Sequence, residues 1–259
     1  MSLNSTPNNY SHALVRPPGE SFVNALAVNP QPIDAALARS QHAEYVNALR
    51  ETGVTIETLK SDERYPDSCF MQDPAMIVDG IAILNRMGAP TRFGETDLVA
   101  DILRARFETR ALTAPASLEG GDVMIANGRL LIGESERTNR VGIEQVRALL
   151  APRGIAVEGV AVKGMLHLLT DATYVGNNVV VVWDAFADAP VFRDFDKVVV
   201  PNEEAYAANT LGIGKYVIVP AGYPKTNEQL RAKGFEVLQV PMSEFYKADG
   251  GVSCLSLIW

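Results

Sequence analysis

Between residues 33 and 59 the apolar positions change their period. Ile33, Leu37, Tyr45, Val46 and Leu49 recur at helical spacing, Gly53 offers a left-handed stop, and Val54-Thr-Ile-Glu-Thr-Leu59 continues as a strand. The same grammar returns twice. Ile143, Val146, Leu149 and Leu150 lead to Gly154 and Ile155-Ala-Val157, and Leu230 leads to Gly234 and Phe235-Glu-Val-Leu-Gln-Val240. A fourth helix, residues 95–107, lacks the glycine stop. Short strand pairs lie between the helices: residues 75–78 with 81–84 across Asp79-Gly80, and 123–126 with 129–132 across Asn127-Gly128. Asn-Gly and Asp-Gly favour the tight turns of hairpins. A further pair turns at Gly176-Asn177 into Val179–Trp183, and another ends in Tyr216-Val-Ile-Val219.

The repeating unit is therefore hairpin, helix, strand, recurring at roughly 40 to 50 residues, a period that implies an array of supersecondary modules. About four or five copies fit the chain. No linker rich in Gly, Ser or Pro separates them, so residues 11–259 read as a single α/β domain whose modules close around a centre, and residues 1–10, polar and Asn-rich, read as a flexible tail. A doubly wound parallel sheet predicts fewer hairpins and a Gly-rich phosphate loop, and the chain has no G-x-G-x-x-G or Walker motif. The terminal Leu255-Ser-Leu-Ile-Trp259 alternates as a strand, which places the chain end in the sheet that closes the ring.

Composition narrows the picture only modestly. The 259 residues are 47% hydrophobic, enough for a sizeable core, with 23 basic and 31 acidic side chains giving a net charge of −8. Nucleic acid and anionic membranes are poor partners for such a surface. The two cysteines, Cys69 and Cys254, lie outside any Cys-x-x-Cys spacing and suit a reducing compartment, so the cytoplasm is the expected location. No apolar run approaches the length of a membrane span, and no signal-peptide segment opens the chain.

Candidate chemistry gathers in a few loops. Asp249-Gly250-Gly251-Val252-Ser253-Cys254 places two glycines before a cysteine, where a tight polar turn is a poor site for mere packing. A nucleophilic thiol needs stabilisation as thiolate and a proton source. Three histidines are available: His12 near a first strand, His42 on a helix surface, and His167 between apolar neighbours. Asp67-Ser-Cys-Phe-Met-Gln-Asp73-Pro74 and Leu118-Glu119-Gly120-Gly121-Asp122 are the two unusual acidic clusters. Each of these groups also has a structural reading, as a packed cysteine, a satisfied core histidine, a turn opener and a solvated hairpin entry. Cys69 is expected to pack beneath the Asp67 loop, and Trp183 and Trp259 in the core or an interface.

Taken in order, Asp62-Glu-Arg-Tyr-Pro-Asp67-Ser-Cys-Phe70, Gln72-Asp-Pro74, Arg92-Phe-Gly-Glu95, Gly133-Glu-Ser-Glu-Arg137-Thr-Asn139, Ala221-Gly-Tyr-Pro224 and Asp249-Gly-Gly-Val-Ser-Cys254 resemble the dimethylarginine dimethylaminohydrolases of the guanidine-modifying superfamily, over residues 11–259. That resemblance implies a pentein, a five-bladed α/β propeller of ββαβ modules with the active site at its centre. It implies a dimethylargininase of arginine metabolism that forms citrulline from a small cationic guanidino amino acid. Cys254 then matches the nucleophile, His167 the general acid and base, and Glu119 the carboxylate that holds the guanidinium and supports the histidine. Asp73 matches a second guanidinium carboxylate, Arg92 and Arg137 a clamp on the substrate α-carboxylate, Asp67 a contact near the amino-acid end, and Leu26 and Ala248 substrate-lining positions. Gln72 stands where relatives commonly carry Glu, which removes a negative charge near the expected site and keeps arginine or another guanidine open as substrate. Arginine deiminase or dihydrolase chemistry and amidinotransfer are the alternatives on the same fold. No metal or other cofactor is expected, because no closely spaced ligand pair supports structural zinc. A homodimer is the assembly left open.

Overall fold

A computed structural model describes residues 8–162, 164 and 166–259. Its strands form five three-stranded sheets among the described residues, each built as an antiparallel pair whose second member also pairs in parallel with a third strand. The hairpin turns follow from local chemistry. Asp79-Gly80 and Asn127-Gly128 take left-handed φ at both residues, 49° and 76° in the first and 49° and 78° in the second, which matches the twist of the flanking strands. In the fourth sheet the left-handed pair is Asn177-Asn178, one residue later than the expected turn at Gly176-Asn177.

The chain opens with β1 (His12–Val15), α1 (Ala35–Glu51) and β2 (Thr55–Thr58), where β1 and β2 run parallel. Asp34 caps α1 by accepting hydrogen bonds from the Ala36 and Leu37 backbones, and Gly53 ends the segment with φ 86°. The second module is β3 (Ala75–Val78), β4 (Ile81–Leu84), α2 (Asp97–Arg104) and β5 (Glu108–Ala111). The third is β6 (Val123–Ala126), β7 (Arg129–Glu134), α3 (Arg140–Leu150) and β8 (Ala156–Ala161), with Gly154 at φ 69° after the helix. A one-turn helix, α4 (Leu168–Asp171), leads into β9 (Ala172–Gly176), β10 (Val179–Trp183) and β11 (Asp196–Val200), where 3-10 turns replace the crossover helix. The fifth module is β12 (Leu211–Ile213), β13 (Tyr216–Pro220), α5 (Pro224–Ala232) and β14 (Glu236–Val240), followed by α6 (Ser243–Tyr246) and β15 (Ser256–Ile258). This is the expected five-bladed α/β propeller.

Two consequences of this connectivity appear in the residue choice. Central strands are flanked on both edges and covered on both faces, so β4 is wholly buried and Val179 to Val182 of β10 are at most 2% exposed, a continuous apolar run instead of an alternation. Outer strands β2 and β5 are edges. They carry charges, with Glu57 paired to Arg106 and Glu108 to Arg110 and Arg153, which discourages pairing with other chains.

β15 pairs antiparallel with β1 in the register Ala13 with Ile258, Leu14 with Leu257 and Val15 with Ser256. The first blade is thus made from both ends of the domain. Leu14 and Leu257 then pack with Ala75, Ala82 and Leu84 of the second blade and with Val99 and Leu103 of α2. The expected tail boundary moves accordingly: Asn8 is buried, donates through Nδ2 to the Gly212 carbonyl and accepts from the Gly214 backbone, so the fifth blade holds residues placed in the tail. Residues 1–7 lie outside the described residues. Other local expectations also change. His42 lies in the interior at 3% exposure instead of on the helix surface, whereas Leu37, expected on the buried stripe, faces solvent. No described helix is long and apolar enough to cross a membrane.

Removing residues 256–259 deletes β15 and the Tyr45 Oη–Ser256 Oγ hydrogen bond. Losing buried Leu257 alone costs about 2–5 kcal/mol, so Tm falls by at least about 4 °C in calorimetry. A variant melting with the full chain would refute the closure. His42 supplies a second test. Burial lowers its pKa from 6.5 to about 4, and Nε2 has no hydrogen-bond partner. The unfolded chain therefore binds a proton that the native state refuses, so stability is complete above pH 6.5 and declines as pH falls toward 4. The total is about 3 kcal/mol, and His42→Leu should flatten that part of the pH–stability curve measured by urea unfolding.

Candidate active site

Inner strands of neighbouring blades pack together around the centre, β6 with β9, β9 with β12 and β15 with β3. The loop entering each inner strand carries a polar side chain: Asp73 before β3, Glu119 before β6, His167 before α4 and β9, Asn209 before β12, and Cys254 before β15. One cavity collects most of the sequence candidates, with Leu26, Asp67, Asp73, Arg92, Arg137, His167, Ala248 and Cys254 on its wall.

His167 Nε2 lies 2.9 Å from Glu119 Oε2. An ionised carboxylate only accepts, so this nitrogen carries a proton and Nδ1 is left for exchange with a ligand. Burial pushes the Glu119 carboxyl up, but the His167 hydrogen bond and the Arg92 charge overcome it and hold the group well below the usual range. Burial likewise lowers His167, and the Glu119 hydrogen bond with the Asp73 and Asp122 charges reverses that, leaving it raised. The geometry is held from behind. Glu119 Oε1 accepts from the Gly88 and Ala89 backbones, and Asp122 Oδ1 accepts from the Leu168 backbone beside the histidine. Gly121 cannot carry a side chain, because a Cβ there would lie 2.8 Å from His167 Nδ1. Its role is close approach and not an unusual backbone angle.

The cysteine loop is tied to two other blades. Asn209 Nδ2 donates to the Leu169 carbonyl and to Ser253 Oγ, its Oδ1 accepts from the Ser253 backbone, and Ser253 Oγ donates to Gln72 Oε1. Gly251 abuts Asn209, where a Cβ would be 2.3 Å from the amide carbon. The Gly251 N–H donates to Cys254 Sγ at 3.4 Å, yet burial and the Asp73 charge still push the thiol from 9.0 to about 12. Burial thus favours the neutral thiol at Cys254. Cys69 is buried, in the core cluster that holds Phe22, Phe70 and Phe245.

Four carboxyls, Asp67, Asp73, Glu95 and Glu119, surround the guanidinium groups of Arg92 and Arg137 and the His167 ring. Arg92 is bound on three sides: Nη1 to Asp73 Oδ2 at 2.9 Å, and Nη2 and Nε to the two Glu95 oxygens at 2.8 and 3.0 Å. Its Nη1 is also 3.8 Å from Glu119. Burial drives Glu95 up to about 7 despite that pairing. Arg137 is the freer cation, its nearest carboxylate contact being 3.6 Å to Glu119 Oε1 with a fifth of its side chain exposed. Asp67, itself raised by burial, accepts from the Leu26 backbone and so ties that segment to the cavity wall. Asp73, Glu119 and His167 bring ligand atoms within 4.8 Å of one another, a donor set able to hold a metal cation, although two rigid carboxylates also suit the planar donors of a guanidinium.

Gln72 departs from expectation. Its side chain bonds Ser253 behind the cysteine and lines a separate cavity with Met76, Val123 and Leu257, away from the Arg92 and Arg137 cavity. The neutral amide at this position braces the Cys254 loop and is absent from the wall of the Arg92 and Arg137 cavity. Sequence reasoning had not assigned Glu95, Asp122 or Asn209 to the site. The first two lay inside motifs already noticed, whereas Asn209 carries no local signal.

Residues 18–257 match the family described as N,N dimethylarginine dimethylhydrolase, eukaryotic. The chain belongs to this family. It is 38% identical over 252 residues to the N(G),N(G)-dimethylarginine dimethylaminohydrolase of Pseudomonas aeruginosa, covering 96% of this chain and 99% of that protein. A cysteine-to-serine variant of the P. aeruginosa enzyme, solved with citrulline, superposes with a TM-score of 0.95 at 37% identity, covering 97% of this chain and all of that one. The N-terminal domain of ArgZ, a cyanobacterial arginine dihydrolase, shares the fold at 20% identity, with a TM-score of 0.87 over 96% of this chain and 97% of its own.

The raised thiol gives this geometry a direct test. Alkylation of Cys254 by iodoacetamide in the free enzyme should climb about tenfold per pH unit through pH 10 without a plateau, because the thiolate fraction does. Saturation near pH 7 or 8, read by mass spectrometry of the Cys254 peptide, would contradict it.

Proposed function

We propose that this enzyme hydrolyses Nω-methylated arginines to citrulline and methylamine or dimethylamine, through a covalent S-alkylthiouronium on Cys254. The observation that carries the reading is the convergence, on one cavity, of a cysteine, a histidine–carboxylate pair and a second carboxylate, with Arg137 and Arg92 on the same wall. Family membership and the citrulline held by the P. aeruginosa relative support it.

Each residue then has a defined task. Asp73 and Glu119 receive the guanidinium and hold its carbon before Cys254 Sγ, and this positioning supplies much of the rate. A cation set beside the thiol opposes the burial that keeps it neutral, so binding itself promotes the thiolate. His167 takes the thiol proton as sulfur adds to the guanidinium carbon, the bond to the methylated nitrogen breaks, and His167 returns that proton to the departing nitrogen. Water, deprotonated by the same imidazole, adds to the thiouronium carbon; the C–S bond breaks and citrulline leaves. Arg137 meets the substrate α-carboxylate with the remaining reach of Arg92, while Asp67, Leu26 and Ala248 border the amino-acid end. Gln72 serves as a brace for the Cys254 loop. A reducing, cytoplasmic setting suits this chemistry, since the partly exposed Cys254 must stay a thiol.

Assays on asymmetric dimethylarginine, monomethylarginine and arginine, detecting citrulline and the released amine, should give citrulline with dimethylamine or methylamine. Cys254→Ala should abolish it, and His167→Ala should lower kcat on the order of 10²–10⁴-fold. Preferential release of ammonia from arginine would move the enzyme to deiminase or dihydrolase chemistry.

A further inference from the structure

A second chamber adjoins the site. It meets the first cavity at Leu166, His167, Asp249 and Cys254, and it is a cleft of about 230 Å³ walled by Val28, Leu169, Thr170, Tyr206 and Tyr246, with the amides of Asn29, Gln31 and Asn209 between them. A single water needs only on the order of 10–15 Å³ of such space, so this room far exceeds a methyl group. Its described lining contains no Lys or Arg. Its one carboxylate, Asp249, already accepts from the Val28 backbone at 2.6 Å, through a residue held at φ 53°.

The charged ends of an amino acid find little to pair with here, whereas Arg137, Arg92 and Asp67 all face the other cavity. The reacting nitrogen is differently placed. His167 Nδ1 lies against Gly121, and Gly121 is part of the chamber wall. His167 itself lines both rooms, so a group carried on the nitrogen that it protonates has the chamber within reach. Tyr206 and Tyr246 meet edge to face with centroids 4.8 Å apart, and both continue into an outer groove with Gln31, Tyr223 and Met242. A flat or extended apolar chain has both a seat and a way out.

We propose that the chamber binds Nω-substituents larger than methyl, alkyl or aryl-methyl chains, so that the enzyme also hydrolyses bulky Nω-substituted arginines. This rests on the hydrolase reading above. The balance is unchanged: Cys254 sulfur bonds the guanidinium carbon, the bond to the substituted nitrogen breaks, His167 supplies its proton, and the corresponding primary amine departs. Water then releases citrulline from sulfur.

The test compares kcat/KM for Nω-methyl-, Nω-butyl- and Nω-benzyl-L-arginine in the native enzyme, Thr170→Trp and Tyr246→Ala, with amine and citrulline both measured. Thr170 and Tyr246 are exposed wall residues outside the reacting groups, which favours intact folding of both variants. In the native enzyme the benzyl and butyl compounds should turn over within about tenfold of the methyl compound. Thr170→Trp should raise KM for the two large substrates at least about tenfold while leaving the methyl compound within about twofold, and Tyr246→Ala should change benzyl more than methyl. Turnover of the methyl compound alone by the native enzyme would overturn the proposal and leave the hydrolase reading intact. An equal loss for all three substrates in a folded Thr170→Trp variant would also overturn it, by making the chamber part of the common binding path. Citrulline from none of the three would defeat the hydrolase reading itself.

Discussion

The pairing of β15 with β1 is the constraint on which the other features rest. It joins residues almost the whole domain apart, completes the first blade and seals it against the second through Leu14 and Leu257. Cys254 sits two residues before β15, so the same three backbone pairings that close the ring also bring sulfur to its centre. Fold closure and assembly of the reacting groups are one event. A site built this way pays for its precision with dependence on the last few residues of the domain.

Repetition of the module explains why the polar groups converge. Every inner strand begins near the same end of the ring, so a side chain in the preceding loop is directed toward the axis whichever blade it comes from. Asp73, Glu119, His167, Asn209 and Cys254 occupy these related places, yet only some face the main cavity. Asn209 instead cross-links the cysteine loop to the segment after His167, and Gln72 braces it from behind. Glycines beside these residues leave space for neighbouring polar groups, as Gly121 does for the His167 ring and Gly251 for Asn209.

Electrostatics decides what can occupy the centre. Buried carboxyls outnumber the guanidinium groups near them, and Arg92 is kept in place by Glu95 and Asp73 instead of standing free. A neutral thiol lies among these groups, disfavoured as a thiolate by burial and by the Asp73 charge, and the same Asp73 charge attracts a cation. The chamber beyond His167 differs in charge, with no Lys or Arg and one carboxylate among aliphatic, aromatic and amide side chains.

Local sequence determined the modules. Asp79-Gly80 and Asn127-Gly128 specify their turns through φ preferences of the residues themselves, Gly53, Gly154 and Gly234 mark segment ends for the same reason, and the change from helical to strand periodicity reveals the repeat. Short motifs also located Cys254, His167, Glu119 and Asp73, because paired glycines and resemblance to a known family are legible along the chain. Tertiary structure alone decided the burial of His42, the turning of Gln72 toward Ser253, the capture of Arg92 by Glu95, the bridging by Asn209 and the division of the site into two rooms. Most of these depend on which surfaces meet when distant segments pack, with Gln72 and Ser253 separated by 181 residues. Arg92 and Glu95 are near in sequence, but their orientation is set by Asp73 on another segment. Local preference specifies a backbone; only closure of the ring determines what each side chain faces.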